Sequence, residues 1–212
     1  MILTEWQNTI KPLSDIVFNA SETVIGDAWV PFTIGVSIQF VHVKERYIEC
    51  QLGSHSQWVH CAINPETDQR RRGNEAVNRR RIVENLRRVG IVNQSQSPSD
   101  YFLSLPKYKF VISPEGNGLD CHRHYEAWMA GCIPIIERNP LIEAKYRGLP
   151  VLYTTDYSEL TPEYLNNAYE NMKNTSYDFS SLLFSNLSPV YQTQIRANGN
   201  YWGTRLVNYK WY

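Results

Sequence analysis

From Ser113 to Glu126 the chain reads SPEGNGLDCHRHYE, a stretch whose residue types suit the recognition of phosphates and hydroxyls. Gly116 and Gly118 carry no side chain, so the backbone there can approach a ligand closely. The residues that follow have helical character, and the free N–H groups at a helix start favour phosphate. Arg123 carries a planar guanidinium able to donate a bidentate pair to phosphate oxygens. Glu126 falls three residues later on nearly the same helix face and can accept two hydroxyl protons from a ribose. His122 and His124 flank the arginine. Each piece also has an ordinary explanation. Most loops with two glycines are only turns, Arg123 and Glu126 could form a helix-surface ion pair worth roughly 0.2–0.5 kcal/mol, and a histidine is more often structural than catalytic.

The flanking pattern says what must position these residues. Tyr108–Ser113 reads as a buried strand, 114–120 as a loop, Cys121–Ala130 as a helix closed by Gly131, and Ile133–Ile136 as a second buried strand. That succession is the building block of a parallel sheet, where ligands bind at the carboxyl ends of the strands. Pro140–Arg147, Val151–Thr154 and Thr161–Met172 continue the series as helix, strand and helix. Upstream, Trp58–Ile63 reads as a strand ending at Asn64-Pro65, Asn74–Val89 as a helix stopped by Gly90, and Pro98–Leu105 as a short helix. Residues 13–53 alternate apolar runs with turn residues, a strand-and-turn pattern of unreadable topology. The fold class is α/β with parallel strands.

The segment Lys109–Asn139, KFVISPEGNGLDCHRHYEAWMAGCIPIIERN, strongly resembles the donor-binding segment of exostosin-like glycosyltransferases. Their pattern runs strand, S-P-x-G-N-G-x-D-x-H-R, a helix with E-A, then G-x-I-P-I. The likeness reaches more loosely back to Trp58 and forward through TPEYLNN and FSSLLFSNLSPVYQTQI. It implies Rossmann-like sheets in a two-domain GT-B architecture, with residues 1–57 as a reduced acceptor region and 58–212 as the donor region. A C-terminal helix over Val190–Leu206 would cross back to the first domain. The implied reaction moves a sugar from a nucleoside diphosphate to an acceptor hydroxyl on a glycan or glycoprotein, with inversion. The implied donor site comprises Ser113, Pro114, Glu115, Gly116, Asn117, Gly118, His122, Arg123 and Glu126, with Arg123 on the diphosphate and Glu126 on the ribose. An arginine beyond the Trp58 strand, one of Arg71, Arg72 or Arg79, would also face the diphosphate.

Inverting transfer needs a group that takes the acceptor hydroxyl proton. Asp27, Glu49, His42, His55 and His60 have suitable chemistry. Asp27 ranks first because it sits in a Gly-Asp turn between apolar runs, although a solvated turn aspartate is the more ordinary reading. Many metal-using glycosyltransferases hold their cation on D-x-D, because hard cations want carboxylate oxygens. No D-x-D occurs, and Glu66-Thr67-Asp68 reads as an acidic cluster leading a helix. The expectation is that Arg123 and helix N–H groups, with no metal or other cofactor, balance the leaving group.

Composition sets the remaining bounds. The 212 residues carry 21 basic and 21 acidic side chains, so no net field steers the molecule toward nucleic acid or an anionic membrane. Cys50, Cys61, Cys121 and Cys132 show no C-x-x-C spacing, and two sit in apolar runs as small buried thiols do. The N-terminus does not read as a secretory signal and no apolar run approaches a membrane span, so a soluble cytoplasmic protein is expected. The sequons at Asn19 and Asn174 are then chance matches. The run Arg70, Arg71, Arg72, Arg79, Arg80, Arg81, Arg87 and Arg88 reads first as a solvated amphipathic helix, next as a donor contact, and last as a nucleic-acid surface. Two other functions stay open: a non-catalytic nucleotide-sugar-binding module, and an RNA- or polyanion-binding protein using the Arg70–Arg88 cluster.

Overall fold

A computed structural model describes residues 17–19, 29–37, 39–40, 55–73 and 77–197. Asp27, His42, Glu49 and Cys50 lie outside the described residues, as does everything beyond residue 197. The chain divides into two compact units, Met1–Tyr177 and Asp178–Tyr212.

In the first unit, β1 (Val17–Asn19) and β2 (Trp29–Pro31) form a parallel pair. The main sheet contains β3 (Gln57–His60), β4 (Tyr108–Ile112), β5 (Ile133–Glu137) and β6 (Leu152–Thr154), all parallel and in chain order. Such a mixed α/β unit with a four-stranded parallel sheet is consistent with a Rossmann-like fold. Parallel strands need crossovers, and six helices are described in them and after β6: α1 (Gln69–Arg72), α2 (Arg79–Arg88), α3 (Pro98–Ser104), α4 (His122–Met129), α5 (Pro140–Lys145) and α6 (Pro162–Met172).

Successive side chains of a strand point to opposite faces, and both faces of this sheet are covered. Phe110, Ile112, Ile133 and Ile135 pack with Ile82 and Leu86 of α2 and Leu165 and Tyr169 of α6. Val111 and Cys132 face the other way, against Tyr101 and Phe102 of α3, Ala127 of α4, and Phe40. Burial on two sides explains why YKFVI and IPIIE read as continuous apolar runs. Pro134 fits a central strand because β6 pairing begins only at Ile135. Ile135 O accepts from Ser113 on the β4 side, so alternate residues face β6 and the missing Pro134 N–H lies ahead of its first paired residue.

Four of the six helix starts follow one device, and α1, which follows Asp68, and α4 lack it. Asn78, Ser97, Asn139 and Thr161 each cap a helix through a side-chain oxygen, and Pro follows directly at Pro98, Pro140 and Pro162. At α4 the N-cap is Cys121, with no side-chain cap and no acidic residue in the first turn. Gly131, at φ 76°, closes that helix and lets the chain turn into β5.

Three boundaries differ from the sequence expectation by more than one residue. β3 ends at His60 rather than Ile63, because Asn93 takes over the backbone of the following residues: its Oδ1 accepts from Ile63 N at 2.8 Å and its Nδ2 donates to Ile63 O at 3.0 Å. α2 is described from Arg79, after its Asn78 cap. α5 stops at Lys145 because Tyr146 caps it and turns its side chain into the core.

The second unit holds short 3-10 turns at Ser180–Leu182 and Phe184–Asn186 and a helix described over 189–197. Arg196 lies over the Phe184 ring at 5.0 Å. Among the described residues, no helix is long and apolar enough to cross a membrane.

Candidate functional site

The loop leaving β4 is held from behind by buried charge. Arg72 donates from Nη2 to Glu115 Oε2 at 2.6 Å and from Nη1 to Glu137 Oε1 at 2.8 Å. Arg71 reaches the same Glu115 oxygen at 2.8 Å and the Gly116 carbonyl at 2.9 Å. Glu137, at the end of β5, accepts the backbone N–H of Glu115 at 3.0 Å, and Asn139 donates to Glu115 Oε1 at 3.0 Å. Burial alone would raise the Glu115 carboxyl, but its bonds to Arg72 and Arg71 outweigh that and hold it below its ordinary range. Burial pushes the Glu137 carboxyl up despite Arg72.

The front of the loop faces a cleft of about 830 Å³ at the carboxyl ends of β3 and β4. One wall is Asn64, Pro65 and Thr67; a second is the polar run Asn93–Gln96; a third is Ile34, Ser37 and Gln39. The fourth comprises Gly116, Asn117 and Gly118 with Asp120, Cys121, His122, Arg123 and Glu126. The structure therefore brings Gly116, Asn117, Gly118, His122, Arg123, Glu126 and Arg79 together at one cleft. Ser113, Pro114, Glu115 and Arg72 are not in its lining and sit behind it, shaping the loop.

The electrostatics favour an anion. Arg79 is buried, and its guanidinium is aimed by carbonyls: Nε donates to Glu115 O and Nη2 to Pro114 O, both at 2.9 Å. Burial, with the charge of Arg123 nearby, depresses it below an ordinary arginine. Arg123 lies over the Tyr101 ring at 4.5 Å, and its Nη1 is buried without a hydrogen-bond partner. Neither arginine pairs with a carboxylate among the described residues. The helix-surface bridge between Arg123 and Glu126 is thus not formed. Two guanidiniums and the uncapped N-terminus of α4 converge on the cleft, and among the described residues neither guanidinium is neutralised by a direct ion pair, an arrangement that an anion in the cleft would complete.

Glu126 is buried, and its Oε1 accepts from the Ser37 backbone at 3.2 Å, so this carboxylate is already oriented by an N–H donor. Asp120 anchors the loop's end, accepting from Lys145 Nζ at 2.7 Å, Tyr125 at 3.0 Å and Tyr146 at 2.5 Å. It also accepts from Ile34 N at 3.3 Å, so one carboxylate gathers partners from α4, from the end of α5 and from a segment 86 residues upstream.

The proton-transfer candidates divide clearly. His55 is buried, and its ring nitrogens meet the carbonyls of Pro106 and Gly131, outside the cleft lining. His60 is buried between Gln96 and Ser104, and burial pushes it down to about 4. His124 is held by Tyr146 Oη and Ser113 O and is likewise lowered by burial to about 4. Cys121 lines the cleft, but burial raises its thiol to about 11, and Cys61 and Cys132 are buried.

The arginine run also divides. Arg71, Arg72 and Arg79 serve the loop and the cleft, and Arg80 pairs with Glu66. Arg70, Arg81, Arg87 and Arg88 remain exposed. Asp68 is buried and accepts the Arg79 backbone N–H at 2.9 Å, so the acidic cluster at Glu66–Asp68 supports these arginines. Among the described residues, no three His, Cys, Asp or Glu side chains are grouped to hold a metal ion.

Fold and cleft together define an α/β protein with a preformed anion-favouring site at the carboxyl edge of a parallel sheet. No protein-family model matches the chain, and no curated protein matches it either.

Proposed function

We propose that the protein is a glycosyltransferase of the two-Rossmann, GT-B type that moves a sugar from a nucleoside diphosphate to an acceptor hydroxyl on a glycan. The observation that carries this reading is the pair Arg79 and Arg123, converging without a carboxylate partner beside the uncapped start of α4. Positive charge fixed where a diphosphate leaves stabilises the transition state more than the ground state. In this reading Arg79, Arg123 and the α4 N–H groups balance the leaving group, and no metal is required. Glu126 accepts the ribose hydroxyls, one oxygen already steadied by Ser37. The cleft is of a size usual for small-ligand sites, about 300–1,000 Å³. The resemblance of Lys109–Asn139 to exostosin-like donor segments supports the same roles for Arg123 and Glu126.

A panel of uridine and guanosine diphosphates and their sugars, with EDTA present, tests this by thermal shift on wild type, Arg123→Ala and Glu126→Ala. A ligand at 100 times its Kd adds roughly 2.7 kcal/mol. One nucleotide family should raise the Tm of wild type and of neither variant. A wild type that no nucleotide stabilises would overturn the reading.

A further inference from the structure

His122 is the first residue of α4, is exposed, and lines the cleft beside Gly118 and Arg123. Its Nδ1 lies 2.7 Å from the carbonyl oxygen of Gly35. A carbonyl only accepts, so Nδ1 carries a proton, and in the neutral ring the lone pair resides on Nε2. Among the described residues Nε2 has no partner. Gly35 holds this carbonyl in place at φ +69°, a conformation that L side chains rarely adopt.

The carboxylates and the thiol of the lining are committed elsewhere. Asp120 is saturated by Lys145, Tyr125, Tyr146 and Ile34, Glu126 is steadied by Ser37 and assigned to the ribose, and the Cys121 thiol is held protonated by burial. We infer that His122 is the general base of the glycosyl transfer, taking the acceptor hydroxyl proton on Nε2 while Gly35 fixes its tautomer; this rests on the transferase reading above. The acceptor O–H gives its proton to Nε2 as its oxygen bonds to the anomeric carbon. The bond from that carbon to the phosphate oxygen breaks, and its electron pair leaves with the diphosphate. The imidazolium then returns its proton to water.

His122→Gln and His122→Ala test this, with UDP and GDP affinity measured by calorimetry and diphosphate release measured from UDP-glucose, UDP-galactose and GDP-mannose. Release is followed with water alone and with lactose as acceptor. Diphosphate affinity should stay within about threefold of wild type, while turnover falls about 10²–10⁴-fold at unchanged donor KM. Added imidazole should restore part of the turnover of His122→Ala, which a purely structural role would not allow. Turnover within threefold of wild type overturns the inference. Affinity falling in step with turnover makes His122 a donor ligand and also overturns it. A wild type that binds a diphosphate yet releases none from any donor removes the base and leaves the nucleotide site standing. A wild type that binds neither UDP nor GDP removes the transferase reading, and the base with it.

Discussion

Arg72 bridges two buried carboxylates, with Glu115 2.6 Å from its Nη2 and Glu137 2.8 Å from its Nη1. The three residues come from α1, from the loop after β4 and from the end of β5. One guanidinium therefore ties two strand ends together and sets the backbone that carries Gly116.

Removing this arginine leaves Glu115 and Glu137 buried with their main counter-ion gone. Breaking a buried pair in this way costs about 3–5 kcal/mol. Arg72→Met should lower stability by that amount in urea unfolding, with a Tm drop of roughly 10 °C for a chain of this size. Arg80→Met removes a solvent-exposed, screened pair with Glu66 and should leave the urea midpoint close to that of wild type. Equal losses in the two variants would mean that the Arg72 bridge is not the buried anchor described here.

His60 and His124 give the fold a pH dependence whose sign is fixed by their direction of shift. Burial lowers both to about 4 in the folded state, against about 6.5 in an unfolded chain. Between those values the unfolded chain binds more protons, so stability is full above about pH 6.5 and falls as pH drops toward 4. The loss is at most about 3 kcal/mol for each histidine, partly offset by Glu137, whose raised carboxyl works the opposite way. Urea midpoints at pH 7 and pH 4.5 should differ strongly in wild type and less in His60→Gln. A midpoint that does not move with pH contradicts the burial of these rings.

The elements that could be read from sequence are those in which one local pattern decides. YKFVI and IPIIE are buried on both faces, and Asn139-Pro140 and Thr161-Pro162 place a cap and a proline at successive positions, so strands and helix starts fell within a few residues of their expected places. The arginine run was harder, because a helix bearing Arg79, Arg80 and Arg81 looks like a solvated surface. Arg72 and Arg79 turn inward only because Glu115, Glu137 and the Pro114 and Glu115 carbonyls wait for them some 35 to 65 residues away. His122 could be recognised as a cleft residue from its place beside Arg123. Its partner Gly35 is 87 residues distant, in a segment with no periodic signal.

Gly116 is required by space rather than by dihedral angle, since its φ is not in the left-handed region. A Cβ built there would lie 3.1 Å from Arg79 Nη2 and 3.5 Å from Cys121 Sγ. Gly116→Val should displace the Arg79 guanidinium and weaken diphosphate binding by about 10–100-fold, the loss of one charge-assisted hydrogen bond of roughly 1.5–3 kcal/mol. Because Gly116 is buried, some stability is lost too, so affinity should be measured at a temperature where circular dichroism shows the variant folded. Unchanged affinity in the folded variant would separate Arg79 from the ligand.

Glu126 offers the sharpest division between phosphate and ribose recognition. Its carboxylate is buried, one oxygen accepts from Ser37 N at 3.2 Å, and Arg123 does not pair with it. If it accepts ribose hydroxyls, Glu126→Gln should weaken a nucleoside diphosphate by about 1.5–3 kcal/mol, the range for a hydrogen bond to a charged group. Inorganic pyrophosphate, which has no ribose, should bind wild type and variant alike. A 2′,3′-dideoxynucleoside diphosphate should bind wild type about as weakly as the full nucleotide binds the variant, and the two losses should not add when combined. Pyrophosphate affinity falling together with nucleotide affinity would instead make Glu126 a support for the helix start, acting through Ser37 on the shape of the cleft.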